Sequence, residues 1–105
     1  MATVKLTDEN FDSVVMSSEK TVLIDLYADW CGPCKMLAPV IEELEREYPD
    51  VKFGKINVDN EPELTALFKV QSIPYIALVK NNTFLDFSVG YVPKDTLVQL
   101  IEENK

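Results

Sequence analysis

Between Trp30 and Lys35 the chain reads WCGPCK, and its only two cysteines, Cys31 and Cys34, lie there with Gly32 and Pro33 between them. A thiolate is a nucleophile and a metal ligand, and two neighbouring sulfurs can also share a disulfide. In a first helical turn, residues at this spacing hold their Cβ atoms about 5–6 Å apart, against about 3.8 Å in a disulfide. A small adjustment therefore interconverts dithiol and disulfide within one fold. Gly32 leaves the backbone open to a partner. Pro33 lacks an N–H where a helix leaves that donor unbonded anyway, and its fixed φ is already helical.

Three other uses of the pair compete with redox exchange. As a staple it would close a loop of four residues, for which chain entropy gives about 2 kcal/mol, against about 4.7 for a 100-residue loop. A zinc site needs four ligands, and the chain has no histidine and no third cysteine. Inert core thiols would not be flanked by Trp30, Gly32, Pro33 and Lys35. Redox exchange is the reading these residues favour. It requires a thiolate, and lowering a cysteine pKa from about 8.5 toward neutrality takes roughly 2 kcal/mol. A helix N-terminus usually supplies about 0.3–1 kcal/mol, so a thiol–thiolate hydrogen bond or a nearby lysine must add to it. Cys31, on the free N-terminal side and exposed, is expected to attack, and Cys34, tucked into the helix, to resolve the mixed disulfide.

The surrounding pattern supplies the elements that must hold this turn. ATVKL reads as a weak strand, and Thr7 is placed to cap a helix over about residues 8–17 with Phe11, Val14 and Val15 as its buried stripe. TVLIDLYA is apolar on both faces, the mark of a strand covered by helices on both sides. Met36, Leu37, Val40, Ile41, Leu44 and Tyr48 follow helical spacing, and Pro39 within that run is expected to kink it. VKFGKINVD is a second central strand, and NEPELTALFKV a short helix resting on Leu64, Leu67 and Phe68. YIALVK, the turn Asn81-Asn82 and TFLDFSVG form a hairpin, since asparagine tolerates positive φ. PKDTLVQLIEEN closes as a helix with Leu97, Leu100 and Ile101 inward. The order β-α-β-α-β-α-β-β-α is that of an α/β protein with parallel crossovers and a terminal antiparallel hairpin.

At 105 residues one domain over 1–105 is expected, large enough to bury roughly 60–70% of the unfolded chain's surface. The net charge of −8 argues against nucleic acid or an anionic membrane as partner. The N-terminus lacks the apolar core of a secretory signal, and no stretch has the roughly 18–20 apolar residues that span a bilayer. A reducing, cytoplasmic compartment is therefore expected, where a cysteine pair is metal-binding or catalytic before it is structural. The three glycines form no dinucleotide-binding fingerprint, so the chain is not expected to take hydride from a nicotinamide cofactor itself. No cofactor is expected.

WCGPCK, in this setting, resembles the active site of the thioredoxin family, and the resemblance runs the length of the chain. Its embedding is similar too: Asp25 in the preceding strand, Pro39 in the following helix, Lys55 in the next central strand, Ile73-Pro74 before the hairpin and Gly90 near the end. The resemblance implies a thioredoxin fold, a five-stranded mixed sheet flanked by four helices, with a cis peptide before Pro74 facing the cysteines. It implies that Asp25 helps deprotonate Cys34, which suits a buried acid whose pKa desolvation raises. It implies that Ile73 and Pro74 offer backbone to an extended client peptide and that Trp30 belongs to the apolar rim. Lys55 shares a strand face with Val51 and Phe53, which would bring it near Asp25. Four positions depart from the family pattern. Tyr75 stands where threonine is usual, Tyr27 where tryptophan is common, Ser72 where glycine is frequent, and Asn82 where the hairpin usually carries glycine. Tyr75, taken to lie beside the sulfurs, is expected to touch substrate and to affect redox poise.

The function implied is a protein-disulfide reductase and dithiol electron carrier, monomeric, with disulfide-containing client proteins and a flavoprotein thioredoxin reductase as partners. An oxidase or isomerase of the same fold is the alternative. Such relatives often place histidine between the cysteines, where its charge stabilises the thiolate, and here Gly32-Pro33 fills the gap. A non-catalytic binding module is a third reading, which function surviving the loss of both cysteines would favour.

Overall fold

The computed structural model describes residues 3–105. In chain order it contains β1 (Val4–Lys5), a π-helical segment (Asp12–Met16), β2 (Val22–Tyr27), α1 (Gly32–Glu47), β3 (Lys52–Asn57), α2 (Pro62–Leu67), β4 (Tyr75–Lys80), β5 (Thr83–Val89) and α3 (Lys94–Glu103). The strands form one sheet in the order β1-β3-β2-β4-β5. β1, β3 and β2 run parallel, β4 is antiparallel to β2, and β5 is antiparallel to β4. The expected five-stranded mixed sheet with four flanking helices is therefore present. The strand expected from Ala2 begins outside the described residues.

β2 lies at the centre because both of its faces are apolar. Val22, Ile24 and Leu26 join Phe11, Val15 and Leu64 in the core layer under the π-helical segment and α2. Leu23 points the other way, into the layer formed with Leu37, Ile41 and Leu44 of α1 and Leu97 and Ile101 of α3. The strand's alternation puts Asp25 on that second face, with Leu23. β4 repeats the pattern, with Tyr75, Ala77 and Val79 to the first layer and Ile76 and Leu78 to the second. The hairpin turn is as the sequence indicates: Asn81 and Asn82 take φ of 51° and 63° between paired Lys80 and Thr83. A register shift between Leu78 and Val79 follows in the ladder.

Several local expectations are corrected. The first helix is confined to Asp12–Met16, and the Thr7 hydroxyl does not cap it. Asn10 governs that turn instead: its Oδ1 accepts the Thr7 N–H at 2.8 Å and its Nδ2 donates to the Lys5 carbonyl at 2.9 Å. The Phe11 N–H donates to the Thr7 carbonyl at 3.0 Å, so the chain already turns helically from Thr7, with Asn10 holding the N–H that leads into it. Pro39 lies inside α1, as the spacing indicates, and the helix continues on both sides of it. Met36 and Leu67 follow the helical spacing but are exposed, since the buried stripes are narrower than the apolar pattern.

Gly54 of β3 sits where a side chain cannot. A Cβ built there would lie 2.6 Å from Leu6 Cδ1, and Leu6 is itself fully buried. At Gly32 a Cβ meets nothing within 4 Å. Gly54→Ala should therefore lower stability by about 1–3 kcal/mol through overpacking. Gly32→Ala should fold with unchanged or slightly higher stability. Urea denaturation of the two oxidised variants checks the contrast; equal midpoints would show that Leu6 yields freely.

Candidate active site

β2 ends against the turn that carries the sulfurs. The Ala28 carbonyl accepts the Cys31 N–H at 3.2 Å, so the chain is bent before the helix begins. Cys31 itself is extended, with φ −90° and ψ 109°, and occupies the cap position of α1. Its sulfur accepts the backbone N–H of Cys34 at 3.2 Å, one of the donors a helix start leaves unbonded. The two cysteines are disulfide-bonded with Cα atoms 5.2 Å apart, within the range such bonds occupy. Exposure does not separate them: Cys31 is 4% exposed and Cys34 5%. The expectation of an exposed Cys31 beside a buried Cys34 is thus corrected for the oxidised form. What distinguishes them is backbone position, one ahead of the helix and the other inside its first turn. The N–H held at the Cys31 sulfur and the helix dipole both favour negative charge there.

Asp25 lies behind the pair. It is 9% exposed, its Oδ1 has no hydrogen-bond partner, and it lines a cavity of about 300 Å³ together with Cys34, Ala38 and Lys55. Burial pushes its pKa from 3.8 to about 6, with the Lys55 charge pulling partly the other way. Lys55 reaches this place because β2 and β3 pair in parallel with Asp25 opposite Lys55. Its side chain is largely exposed, so it sits at the cavity mouth.

On the other side of the sulfurs, Ile73 packs against Ala28, Cys31 and Cys34. The Ile73-Pro74 peptide is cis, and the Pro74 carbonyl accepts the N–H of Gly90 at 2.7 Å. Trp30 is 71% exposed, and its indole N–H donates to Asp59 Oδ2 at 2.9 Å, so it is a surface ring and not a core aromatic. Tyr75 is corrected. Its ring belongs to the core layer with Leu26 and Ala77 and stacks on Phe87, with centroids 5.6 Å apart. It is not among the residues packed around the sulfurs, because strand alternation turns it to the sheet face away from Asp25. Three neighbours of the site were not among its expected residues. Tyr27 and Val58 pack on the cysteine cluster, and Asp59 anchors Trp30. Only Tyr27 carried a signal, as a departure next to the motif; the others depend on where the β3–α2 loop falls.

The Asp25 environment has a stability consequence. An acid whose pKa is higher in the folded chain favours folding while protonated, and this is lost as pH rises from about 4 through about 6. The displacement to about 6 corresponds to roughly 3 kcal/mol at high pH. Asp25→Ala removes that cost and leaves a small cavity that takes part of it back. The oxidised variant should be more stable than the parent by about 1–3 kcal/mol near pH 8, with the advantage gone near pH 3.5. Urea titrations at both pH values measure it, and an equal or less stable variant near pH 8 would mean a solvated or paired carboxylate.

A family model for thioredoxin matches residues 2–103. The chain is 44% identical over 105 residues to the thioredoxin of Bacillus subtilis, with 99% of each chain covered. It is 39% identical over 102 residues to the thioredoxin of Buchnera aphidicola, covering 96% of this chain and 94% of that one. It is 38% identical over 104 residues to thioredoxin 1 of a Nostoc species, covering 98% and 97%. Likeness of this extent, around a cysteine pair joined at the start of a helix, places the chain in the thioredoxin family as a thiol–disulfide oxidoreductase that reduces protein disulfides by dithiol–disulfide exchange.

Proposed function

We propose that the chain acts as a single-domain, monomeric electron carrier of the cytoplasm, with Cys31 attacking and Cys34 resolving. Among the described residues no helix is long and apolar enough to cross a membrane, and a reducing compartment keeps such a pair cycling. The observation that carries the assignment of roles is the Cys34 N–H held at the Cys31 sulfur. That donor stabilises a thiolate on Cys31 and leaves Cys34 as the thiol.

The Cys31 thiolate attacks one sulfur of a client disulfide, forming a mixed disulfide and releasing the other client sulfur as thiolate. Cys34 then loses its proton and attacks the Cys31 sulfur. The second client thiolate leaves, the Cys31–Cys34 disulfide forms, and two electrons have passed to the client. Asp25 is the proton acceptor for Cys34. The two share one cavity, and a carboxylate pKa of about 6 is close enough to neutrality for general-base work. Lys55 at the mouth favours the ionised carboxylate. Gly32 and Pro33 keep the approach to Cys31 open and preset the first turn. Ile73, beside the sulfurs, offers its backbone to an extended client, with Pro74 fixing its direction and Trp30 forming the rim. Tyr75 contributes to client contact through the groove on its own sheet face. A flavoprotein thioredoxin reductase returns the two electrons, since the chain has no nucleotide-binding fingerprint of its own.

Reduction of insulin disulfides with a thioredoxin reductase and reduced nicotinamide cofactor supplied tests the whole cycle. In extracts, Cys34→Ser should accumulate mixed disulfides with client proteins and Cys31→Ser should trap none, read on non-reducing gels. Equal trapping by the two would reverse or abolish the assignment. Asp25→Asn should slow the resolving step at neutral pH by about 10²-fold or more, the usual range for a positioned acid or base. Rapid-mixing kinetics with a pre-reduced protein isolate that step.

A further inference from the structure

The larger cavity among the described residues lies away from Asp25 and Cys34, on the sheet face covered by the π-helical segment and α2. It is a groove of about 640 Å³ whose walls are chiefly apolar, with a row of aromatic rings among them. Phe11 contacts Phe68 edge-on at 6.0 Å between centroids, Phe68 meets Phe84 at 6.4 Å, Phe84 meets Phe87 at 6.2 Å, and Phe87 stacks on Tyr75. The register shift in the β4–β5 ladder creates this row. Phe84 pairs with Val79 and Phe87 with Ala77, so both rings come to one face although they stand three positions apart in the strand. Phe84 and Phe87 remain exposed, on an edge strand.

Lys69 is the one charged residue lining the groove, in a chain of net charge −8. It holds φ at 55°, a left-handed conformation that glycine adopts without strain and lysine does not. Among the described residues it makes no ion pair. A cation is thus kept at the lip of an aromatic groove at a cost to the backbone. The groove also runs up to the client-facing segment: Ser72 lines it and precedes Ile73, and Val89 lines it opposite Tyr75 and precedes Gly90.

We propose that this groove is an accessory docking site for the client polypeptide, taking a large apolar side chain, aromatic above all, next to a carboxylate that pairs with Lys69. The proposal rests on the reading of Ile73 and Pro74 as client-facing. Burying the apolar side chain supplies affinity, the Lys69 charge selects acidic neighbours, and the disulfide at the far end is thereby brought to Cys31. A second copy of the chain is the disfavoured occupant, because two bodies of net charge −8 repel.

The test uses pre-reduced protein and peptides with one internal disulfide. A Phe-Glu pair is stepped along each peptide from about two to ten residues away from the disulfide, a reach of up to about 35 Å. Ala-Lys at the same positions is the comparison. At one or two adjacent positions Phe-Glu should raise the second-order rate about tenfold, equivalent to about 1.4 kcal/mol. Phe87→Ser and Lys69→Glu should each abolish most of that gain. Rates on hydroxyethyl disulfide, which has no chain to dock, should stay equal to those of the parent. Lys69→Gly, free of the backbone strain, should denature at the same or a higher urea concentration and still lose the acidic preference. Equal rates for Phe-Glu and Ala-Lys at every position overturn the proposal, as does a preference that survives both Phe87→Ser and Lys69→Glu. A concentration-dependent dimer in sedimentation, abolished by Phe87→Ser, also overturns it in favour of self-association. Failure of the parent to reduce hydroxyethyl disulfide would instead overturn the redox reading beneath it.

Discussion

A sulfur at the head of a helix feels unbonded N–H groups and the positive end of the backbone dipole only if the chain enters the helix from a fixed direction. Here that direction is set by two contacts. The Ala28 carbonyl holds the Cys31 N–H, and the Cys34 N–H meets the Cys31 sulfur. Both depend on where β2 ends, and β2 is fixed by burial on both faces between the two helical layers. The central strand therefore does more than fill the core: it delivers a turn whose electrostatics are decided before any client arrives.

The same burial makes the carboxylate behind the sulfurs expensive. Asp25 occupies a position that Leu23 and Ile76 suggest should be apolar, and one of its oxygens has no partner. The charge of Lys55 offsets only part of this, since the lysine lies at the cavity mouth and desolvation remains the larger effect. In the role proposed for Asp25, stability and proton transfer draw on one group in opposite senses, a common arrangement where chemistry needs a pKa near neutrality.

The two faces of the sheet are finished differently. α1 and α3 close the face that carries Asp25, leaving a small cavity next to Cys34 that Asp25 and Lys55 line. The opposite face is closed by the short π-helical segment and the six-residue α2, which leave the β5 side uncovered. An aromatic row occupies the gap, and only a ladder irregularity lets Phe84 and Phe87 share it.

Local chemistry determined much of this protein in the sequence. A two-cysteine turn before an amphipathic run, a strand apolar on both faces and an Asn-Asn hairpin each depend on residues within a few positions of one another. Period and turn preference report such features directly. The cysteine pair, the element order and the sheet class were legible for that reason; the cis peptide came through resemblance, as did the role proposed for Asp25. The tertiary structure decided what depends on pairing between distant segments. The parallel register of β2 and β3 set Asp25 opposite Lys55, and strand alternation turned Tyr75 away from the sulfurs. The β3–α2 loop brought Asp59 to Trp30, and the shift within the last hairpin built the aromatic groove. A one-residue change in register reverses which face a side chain sees, and register is chosen by the whole core, so no single stretch of sequence states it.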